Sequence, residues 1–271
     1  MLGKLIKHEF KATAKTFALL YVAFITLTLL TKFCVYIPFE NQIFHILERL
    51  LAILYVIALV GMSLFSFVLV LMRFNTNMLK DQGYLSNTLP VKMWQQITAK
   101  VITYAVWVVL SFIAMLVSLA IFFAGDGSGK VIKSFLNTLA DNTELIPMLV
   151  FIVVILIVQI FVNILNCFAA LSLGQIFSKH RVAGAVLFYF VLNYALGFLT
   201  SLVMVAAQPL IDKIETLEKA SVEVNSFIQV AISVRAPMYA YLAVLLLCEI
   251  LLGATYYVIT NFMLTKKLNL E

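Results

Sequence analysis

Six long apolar stretches dominate the chain, and short polar segments separate them. Each stretch is continuous rather than alternating with period two, which favours helices over the strands of a barrel. A helix needs about 20 apolar residues to cross the hydrocarbon core of a bilayer, and each stretch is long enough. The stretches cover residues 17–37, 50–72, 101–124, 148–171, 182–207 and 238–264. The sequence therefore predicts an all-α membrane protein, with six transmembrane helices in one domain of residues 17–271.

Two polar segments beside the stretches have amphipathic patterns. In residues 1–16, leucines and other apolar residues recur on one side of a helix and lysines occupy most other positions. Such a helix lies in the membrane interface, so residues 1–16 are predicted as an interfacial amphipathic helix. The alternative is a lysine cluster that only sets topology. Residues 208–237 predict short external amphipathic helices, which lie on the outer leaflet or cap the bundle.

The charge distribution predicts the orientation in the membrane. Only 12% of residues are charged, against about 25% in soluble domains, and no separate soluble domain fits the length. The termini and the second and fourth connections carry twelve basic and three acidic residues. The other connections carry seven basic and nine acidic residues. Basic residues collect on the cytoplasmic side. We expect a multi-pass protein of the bacterial cytoplasmic membrane with both termini in the cytoplasm, where membrane lipids rather than nucleic acid account for the net charge of +6.

The motifs for catalysis or cofactor binding are incomplete. The segment GDGSGK at residues 125–130 resembles a phosphate-binding loop, but Ala124 replaces its first glycine and Val131 its final hydroxyl residue. Three cysteines and three histidines lack metal-ligand spacing, and no protease or carboxylate-pair motif is present. We therefore predict no metal site, no catalytic residue, no bound cofactor and no enzymatic activity in this chain.

Four polar side chains inside the spans are candidates for a translocation path or for the bundle interface. Gln159, Asn163 and Asn166 share a helical face of the fourth span, and Glu249 is the only acidic residue deep inside a span. Polar residues on one face either hold helices together or line a path for substrate. Glu249 either handles protons or a cationic substrate, or is protonated and hydrogen-bonded to Gln159 or an asparagine.

The connection of residues 73–100 carries apolar and aromatic residues on the predicted cytoplasmic side. Such residues dock onto a partner or fold back on the bundle; Tyr84, Leu85, Leu89 and Trp94 are the predicted anchors, since large apolar groups dominate interface energetics.

The overall organisation and two segments resemble a known family. The opening MLGKLIKHEFKATAKTF and the segment KDQGYLSNTLPVKMWQQITAK are similar to permease subunits of bacterial type-2 ATP-binding-cassette exporters of the Firmicutes. Gln82 and Asn87 depart from the family pattern, which has Glu and an apolar residue there, and Lys100 matches a basic residue that opens the third span. The resemblance implies a coupling loop that contacts a separate ATPase through these residues: Lys80, Asp81, Gly83, Tyr84, Leu85, Leu89, Pro90 and Trp94.

The same resemblance implies the partners and the activity. ATP and Mg would bind in the ABC ATPase subunit, and a second copy or a related permease would complete a homo- or heterodimer. The expected activity is export of a hydrophobic or amphipathic substrate, such as an antimicrobial peptide, an antibiotic or a lipid. The alternative is an ion-coupled secondary carrier, or a proton-linked transporter, that works through Glu249.

Overall fold

Six long helices make up nearly all of the described structure. The computed structural model describes residues 2–36, 42–79, 91–123, 133–134, 137, 140–143, 146–177, 179–206, 208–209, 212, 216 and 235–267. No strand occurs in these ranges. The helices are α1 (Leu2–Tyr36), α2 (Gln42–Phe74), α3 (Met93–Phe123), α4 (Ile146–Gly174), α5 (Arg181–Ala206) and α6 (Arg235–Phe262). Single π-helical turns, Asn75–Leu79 and Met263–Lys267, extend α2 and α6.

All six helices are long and apolar enough to cross a membrane, which indicates a multi-pass membrane protein. The described residues of each predicted apolar stretch fall on one of them, and most helices extend further at one or both ends. A helix does not stop where the bilayer stops, because its backbone bonds are satisfied within the helix itself. The predicted connection of residues 73–100 is correspondingly shorter, since its first and last turns belong to helices.

The first helix has no break after residue 16, where the interfacial helix was predicted to end. Its buried positions, Thr13, Phe17, Phe24, Thr28 and Thr31, follow one helical stripe across that boundary. At 1.5 Å per residue, the 35 residues span about 52 Å, against about 30 Å of hydrocarbon. The helix is therefore longer than one crossing requires, and the interfacial position of its first turns stays a prediction.

The chain divides into two compact units, the first made of residues 1–133 and the second of residues 134–269. In the first unit, α1 and α3 run in the same direction. Residue numbers rise together along the two helices, which shows this direction. From one end to the other, the contacts are Glu9 Oε1 with Lys100 Nζ, Thr13 Oγ1 with Trp107 Nε1, and Thr28 Oγ1 with Ser118 Oγ. The second helix, α2, runs the other way and packs against both.

Two hydroxyl triads join the three helices of the first unit. Each triad takes one residue from each helix and centres on a serine of α3. Ser111 Oγ lies 3.0 Å from both Tyr21 Oη and Ser66 Oγ. Two helical turns further on, Ser118 Oγ lies 2.9 Å from Thr28 Oγ1 and 2.7 Å from Tyr55 Oη. Hydrogen bonds between helices hold bundles together in lipid, where apolar burial alone gives little driving force.

Trp107 on α3 forms the aromatic part of the same contact. Its ring stacks on Phe17 with a centroid distance of 4.6 Å, and Phe10 lies 5.5 Å away. The indole Nε1 donates to Thr13 Oγ1 over 2.8 Å, which satisfies the one polar group of a buried ring. This contact extends the α1–α3 interface into the first three turns of α1.

A buried ion pair lies at the end of this interface. Lys100 Nζ donates to Glu9 Oε1 at 2.5 Å, and the two side chains are 5% and 16% exposed. Arg73, at the end of α2, donates to the Ala12 carbonyl at 2.7 Å. Such a pair fixes the relative position of α1 and α3, because either charge alone would be costly to bury.

In the second unit, α4 packs against both α5 and α6. The turn between α4 and α5 is tight because two glycines permit close approach. A Cβ on Gly174 would lie 2.6 Å from the Ala185 backbone nitrogen, and one on Gly184 would lie 2.4 Å from the Phe177 ring. The last carbonyls of α4 accept three hydrogen bonds from the residues that follow, including Phe177 N to Gly174 O at 3.2 Å.

We expect Gly174→Ala to destabilise the protein by about 1–3 kcal/mol, because its Cβ meets backbone that no side-chain rotation can move. The matched control is Gly197→Ala on α5, where nothing lies within 4 Å of the added Cβ. Thermal unfolding in detergent measures both. Equal unfolding temperatures for the two variants would show that the α4–α5 corner tolerates a side chain.

We expect Lys100→Met to destabilise the protein by up to about 3–5 kcal/mol, because it leaves the buried Glu9 carboxylate unpaired. The double variant Glu9→Gln, Lys100→Met should recover most of this loss. Lys92→Met, at an exposed position directly before α3, is the control. If Lys100→Met unfolds no earlier than the control, the ion pair does not contribute to stability.

Candidate functional site

Glu249 and Gln159 meet between α6 and α4. The carboxylate is half-buried, and so is the amide. With its nitrogen turned towards Glu249, the Gln159 amide donates to both carboxylate oxygens, with 3.2 Å to Oε2. The structure thus brings together two of the four polar residues that the sequence singled out within the spans.

The stripe of α6 that carries Glu249 packs along α4. A Cβ on Gly253, one turn after Glu249, would lie 3.2 Å from Val162 Cγ2 and 3.9 Å from Leu165 Cδ1. Glu249 faces Gln159, and Gly253 faces Val162. Residue numbers therefore increase in the same sense along both helices, so α4 and α6 run in the same direction. On α6 the stripe continues through the buried residues Tyr256 and Thr260.

The two asparagines of the fourth span have different environments. Asn166, 1% exposed, is buried one residue beyond Leu165, and its Oδ1 has no hydrogen-bond partner. Asn163 is exposed. A turn of 100° per residue places residues 159, 162 and 166 on the face towards α6, while residue 163 lies at its edge. Asn166 therefore belongs to the buried α4–α6 contact, whereas Asn163 lies outside it.

The residues predicted to couple to an ATPase lie almost entirely outside the described residues. Only Trp94 of that set is described. It sits in the first turn of α3, and it is 44% exposed. Gln96 and Ile97, two and three residues later, are buried. The first turns of α3 therefore present one side to α1 and another to the outside of the unit.

Several residues of the described structure had no role in the sequence analysis. Glu9 was counted only as a charge, although a lone acid among lysines signals a paired group. The predicted spans also contain Trp107, Tyr256 and Asn261. Nothing in the neighbouring sequence indicates which groups these side chains contact. Tyr256 Oη donates to the Leu192 carbonyl at 3.3 Å, and Asn261 Oδ1 is buried without a partner.

The described residues contain no group of three His, Cys, Asp or Glu side chains that would hold a metal ion. Comparison with protein-family models, with curated proteins and with solved structures gives no match for this chain. The site is therefore interpreted from its own chemistry: a carboxylate, an amide that contacts it and a buried asparagine on one helical interface.

We expect Gln159 and Glu249 to be energetically coupled. Gln159→Leu removes the donor to the carboxylate and should destabilise the protein more in the Glu249 background than in the Glu249→Leu background. Coupling energies for polar contacts between membrane helices average about 0.6 kcal/mol and reach about 1.7 kcal/mol. A double-mutant cycle of unfolding free energies measures the difference. Glu249→Gln retains acceptor oxygen and should fold normally, and a coupling of zero would contradict the contact.

Proposed function

We propose that this chain is the membrane-spanning permease subunit of an ATP-driven exporter whose ATPase is a separate protein. The six membrane-spanning helices and the resemblance of the first and second cytoplasmic segments to type-2 permeases support the proposal. The chain supplies no complete phosphate-binding loop, so ATP and Mg are bound by the partner. Both termini and the segment of residues 80–92 face the cytoplasm in this proposal, where an ATPase can reach them.

The observation that best supports the proposal is the way α3 begins. The helix follows the candidate coupling segment directly, and its second turn is attached to α1 by the buried ion pair between Lys100 and Glu9. Two turns later, Trp107 packs on Phe17 and donates to Thr13. A force applied to residues 80–92 therefore reaches two helices at once, because the contacts leave little freedom for α3 to move alone.

The position of Trp94 supports an interface at this end of α3. An exposed tryptophan in a first helical turn offers a large apolar area, and tryptophan is among the residues that most often dominate binding energy. In the proposal, Trp94 lies at the edge of the surface that binds the ATPase, and Tyr84, Leu85 and Leu89 form the rest of that surface. The ATPase would bury these apolar side chains in a groove.

A complete exporter would contain two permeases and two ATPases. The second permease is a further copy of this chain or a related one. The proposed substrate is hydrophobic or amphipathic, since Glu249 is the only acidic residue deep inside the apolar stretches of the sequence. A lipid, an antibiotic or an antimicrobial peptide fits that description, and the outer-leaflet segment of residues 208–237 would lie where such a molecule leaves.

The second candidate function is an ion-coupled carrier that works through Glu249, and its place beside Gln159 is the observation that favours it. An ionisable group inside a span is costly and is usually functional. Transport by the purified chain in vesicles without any ATPase would favour this function over the exporter. If Glu249→Gln retained full transport in such vesicles, the carboxylate would not be the coupling group.

We expect the double variant Tyr84→Asp, Leu85→Asp to lose its ATPase partner while the helices stay folded. Two carboxylates in an apolar groove would be desolvated without a counter-charge, which costs several kcal/mol. Copurification of the ATPase from the native membrane measures the loss, and the thermal unfolding temperature of the permease reports folding.

The matched control is Ile176→Asp, an exposed apolar position in the connection between α4 and α5. That connection lies on the same predicted side of the membrane, so the variant adds charge to the same compartment. We expect it to retain the ATPase. Equal retention by both variants would contradict the assignment of Tyr84 and Leu85 to the coupling segment.

A further inference from the structure

One side of α1 changes from basic to apolar within a single turn. The exposed positions on this side recur every three or four residues, as neighbours on one helical face do. The first of them are all basic: Lys4, Lys7, His8, Lys11 and Lys15. The next are Leu19, which is 73% exposed, and Val22, which is 65% exposed. Further along come Thr26, whose hydroxyl donates to the Val22 carbonyl of its own helix, and the exposed Leu29 and Phe33.

The opposite side of α1 packs on α3, so these basic positions belong to a helix that is held in place. Glu9 pairs with Lys100 on that side. At about 100° per residue, Lys11 and Lys15 lie about 120–160° around the helix from Glu9. The Glu9 carboxylate is therefore directed to Lys100 and not to the exposed lysines.

Contacts from α2 and α3 mark the level at which α1 enters the membrane. Arg73 directly follows the second apolar stretch, and its guanidinium donates to the Ala12 carbonyl at 2.7 Å. Lys100 directly precedes the third apolar stretch, and it contacts Glu9. Residues 9–12 of α1 therefore lie level with the polar ends of both neighbouring spans. A guanidinium has several N–H donors, and the bond to Ala12 uses one of them.

An upright α1 places two of its lysines at the depth of the lipid head groups. From Leu19 to Tyr36 the helix rises about 26 Å, close to the hydrocarbon thickness of about 30 Å. Lys15 then lies at the edge of the hydrocarbon, and Lys11 lies about 6 Å further out. The head-group layer on each side is about 5–8 Å thick, so it includes both. Lys4 lies about 16 Å beyond Lys15, outside this layer.

We propose that Lys11, Lys15 and Arg73 bind the phosphate of an anionic phospholipid, whose acyl chains lie along Leu19 and Val22. Ammonium and guanidinium groups form charge-assisted hydrogen bonds with phosphate oxygens. The basic groups and the apolar stripe meet at one level, and an amphiphile with an anionic head matches both. A nucleic acid matches only the basic part. The inference does not depend on which of the two proposed functions holds, since this lipid lies beside the span as a bound ligand.

The level of the lysines separates this site from a charge cluster that only sets topology. Such a cluster acts through the number of basic residues on one side of the membrane. A head-group site acts through the residues at head-group depth. Lys11 and Lys15 should therefore matter for lipid binding, whereas Lys4 and Lys7 should not.

Photolabelling from the lipid tests the site on the unmodified protein. The probe is phosphatidylglycerol with a diazirine in one acyl chain, diluted into phosphatidylcholine vesicles that contain the protein. Phosphatidylcholine with the same diazirine is the comparison probe. We expect the anionic probe to label residues 18–26 several times more than the comparison probe, as read by mass spectrometry of peptides. Equal labelling by both probes, or no labelling of this segment by either, would overturn the proposal.

Two double variants test the position of the charges. Lys11→Gln, Lys15→Gln should lower the labelling ratio of the two probes to near one. Lys4→Gln, Lys7→Gln removes the same charge from the same helix further out, and it should keep the ratio of the unmodified protein. All four side chains are exposed, so the unfolding temperature in detergent should not change in either variant. An equal loss in both would show attraction by total charge and would overturn the site.

Arg73→Gln tests whether α2 contributes to the same site. We expect it to lower the labelling ratio, and Arg73→Lys, which retains the charge, to keep most of it. The control is Arg181→Gln, at the exposed first position of α5 on the same predicted side of the membrane. An unchanged ratio in Arg73→Gln, or an equal loss in Arg181→Gln, would contradict a site shared between α1 and α2.

Discussion

The hydrocarbon core of a membrane offers no hydrogen-bonding partner, and this constraint decides how the helices of the protein meet. Backbone groups are satisfied within each helix, so only side chains remain to specify which helices pack together. In the first unit those side chains include an ion pair and an indole, and the hydroxyls among them form two sets with one residue from each helix. A serine without its partners would bond only to its own helix, as Ser63 does to the Val60 carbonyl. The triads at Ser111 and Ser118 thus select one arrangement of α1, α2 and α3.

The sequence predicted the helices well because their signal is long and local. Twenty apolar residues in succession leave few alternatives, and all six stretches fall on helices. The helix ends were predicted less well, since a lysine-rich start and a membrane span look different in composition but form one continuous α1. Thr13 and Phe17 lie on the same face of α1 as Phe24, Thr28 and Thr31. The sequence shows this face only when the helical spacing is followed from the lysine-rich start into the apolar stretch.

The candidate site was partly predictable for the same reason. A carboxylate inside a span, such as Glu249, stands out in any sequence, and an amide one helix away is a natural partner. The sequence did not separate Asn163 from Asn166, because three neighbouring polar residues on one helix define a face only to within a turn. The ion pair of Glu9 with Lys100 joins positions 91 apart in sequence, and no local pattern reports such a distance.

The two units meet the constraint of the membrane through different contacts between their helices. In the first unit the hydroxyls of the two triads are paired between helices, and the buried lysine has a carboxylate, although the second oxygen of that carboxylate, Glu9 Oε2, is buried without a partner. In the second unit close contact comes from glycines at positions 174 and 253, the Gln159 amide donates to the Glu249 carboxylate, and the amide oxygens of Asn166 and Asn261 are buried without a partner. An unpaired buried oxygen is costly in lipid, whichever unit holds it. Unpaired buried oxygens occur in both units and therefore do not distinguish them. What differs is that hydroxyl pairs and an ion pair hold the helices of the first unit together, whereas close contact at glycines holds those of the second.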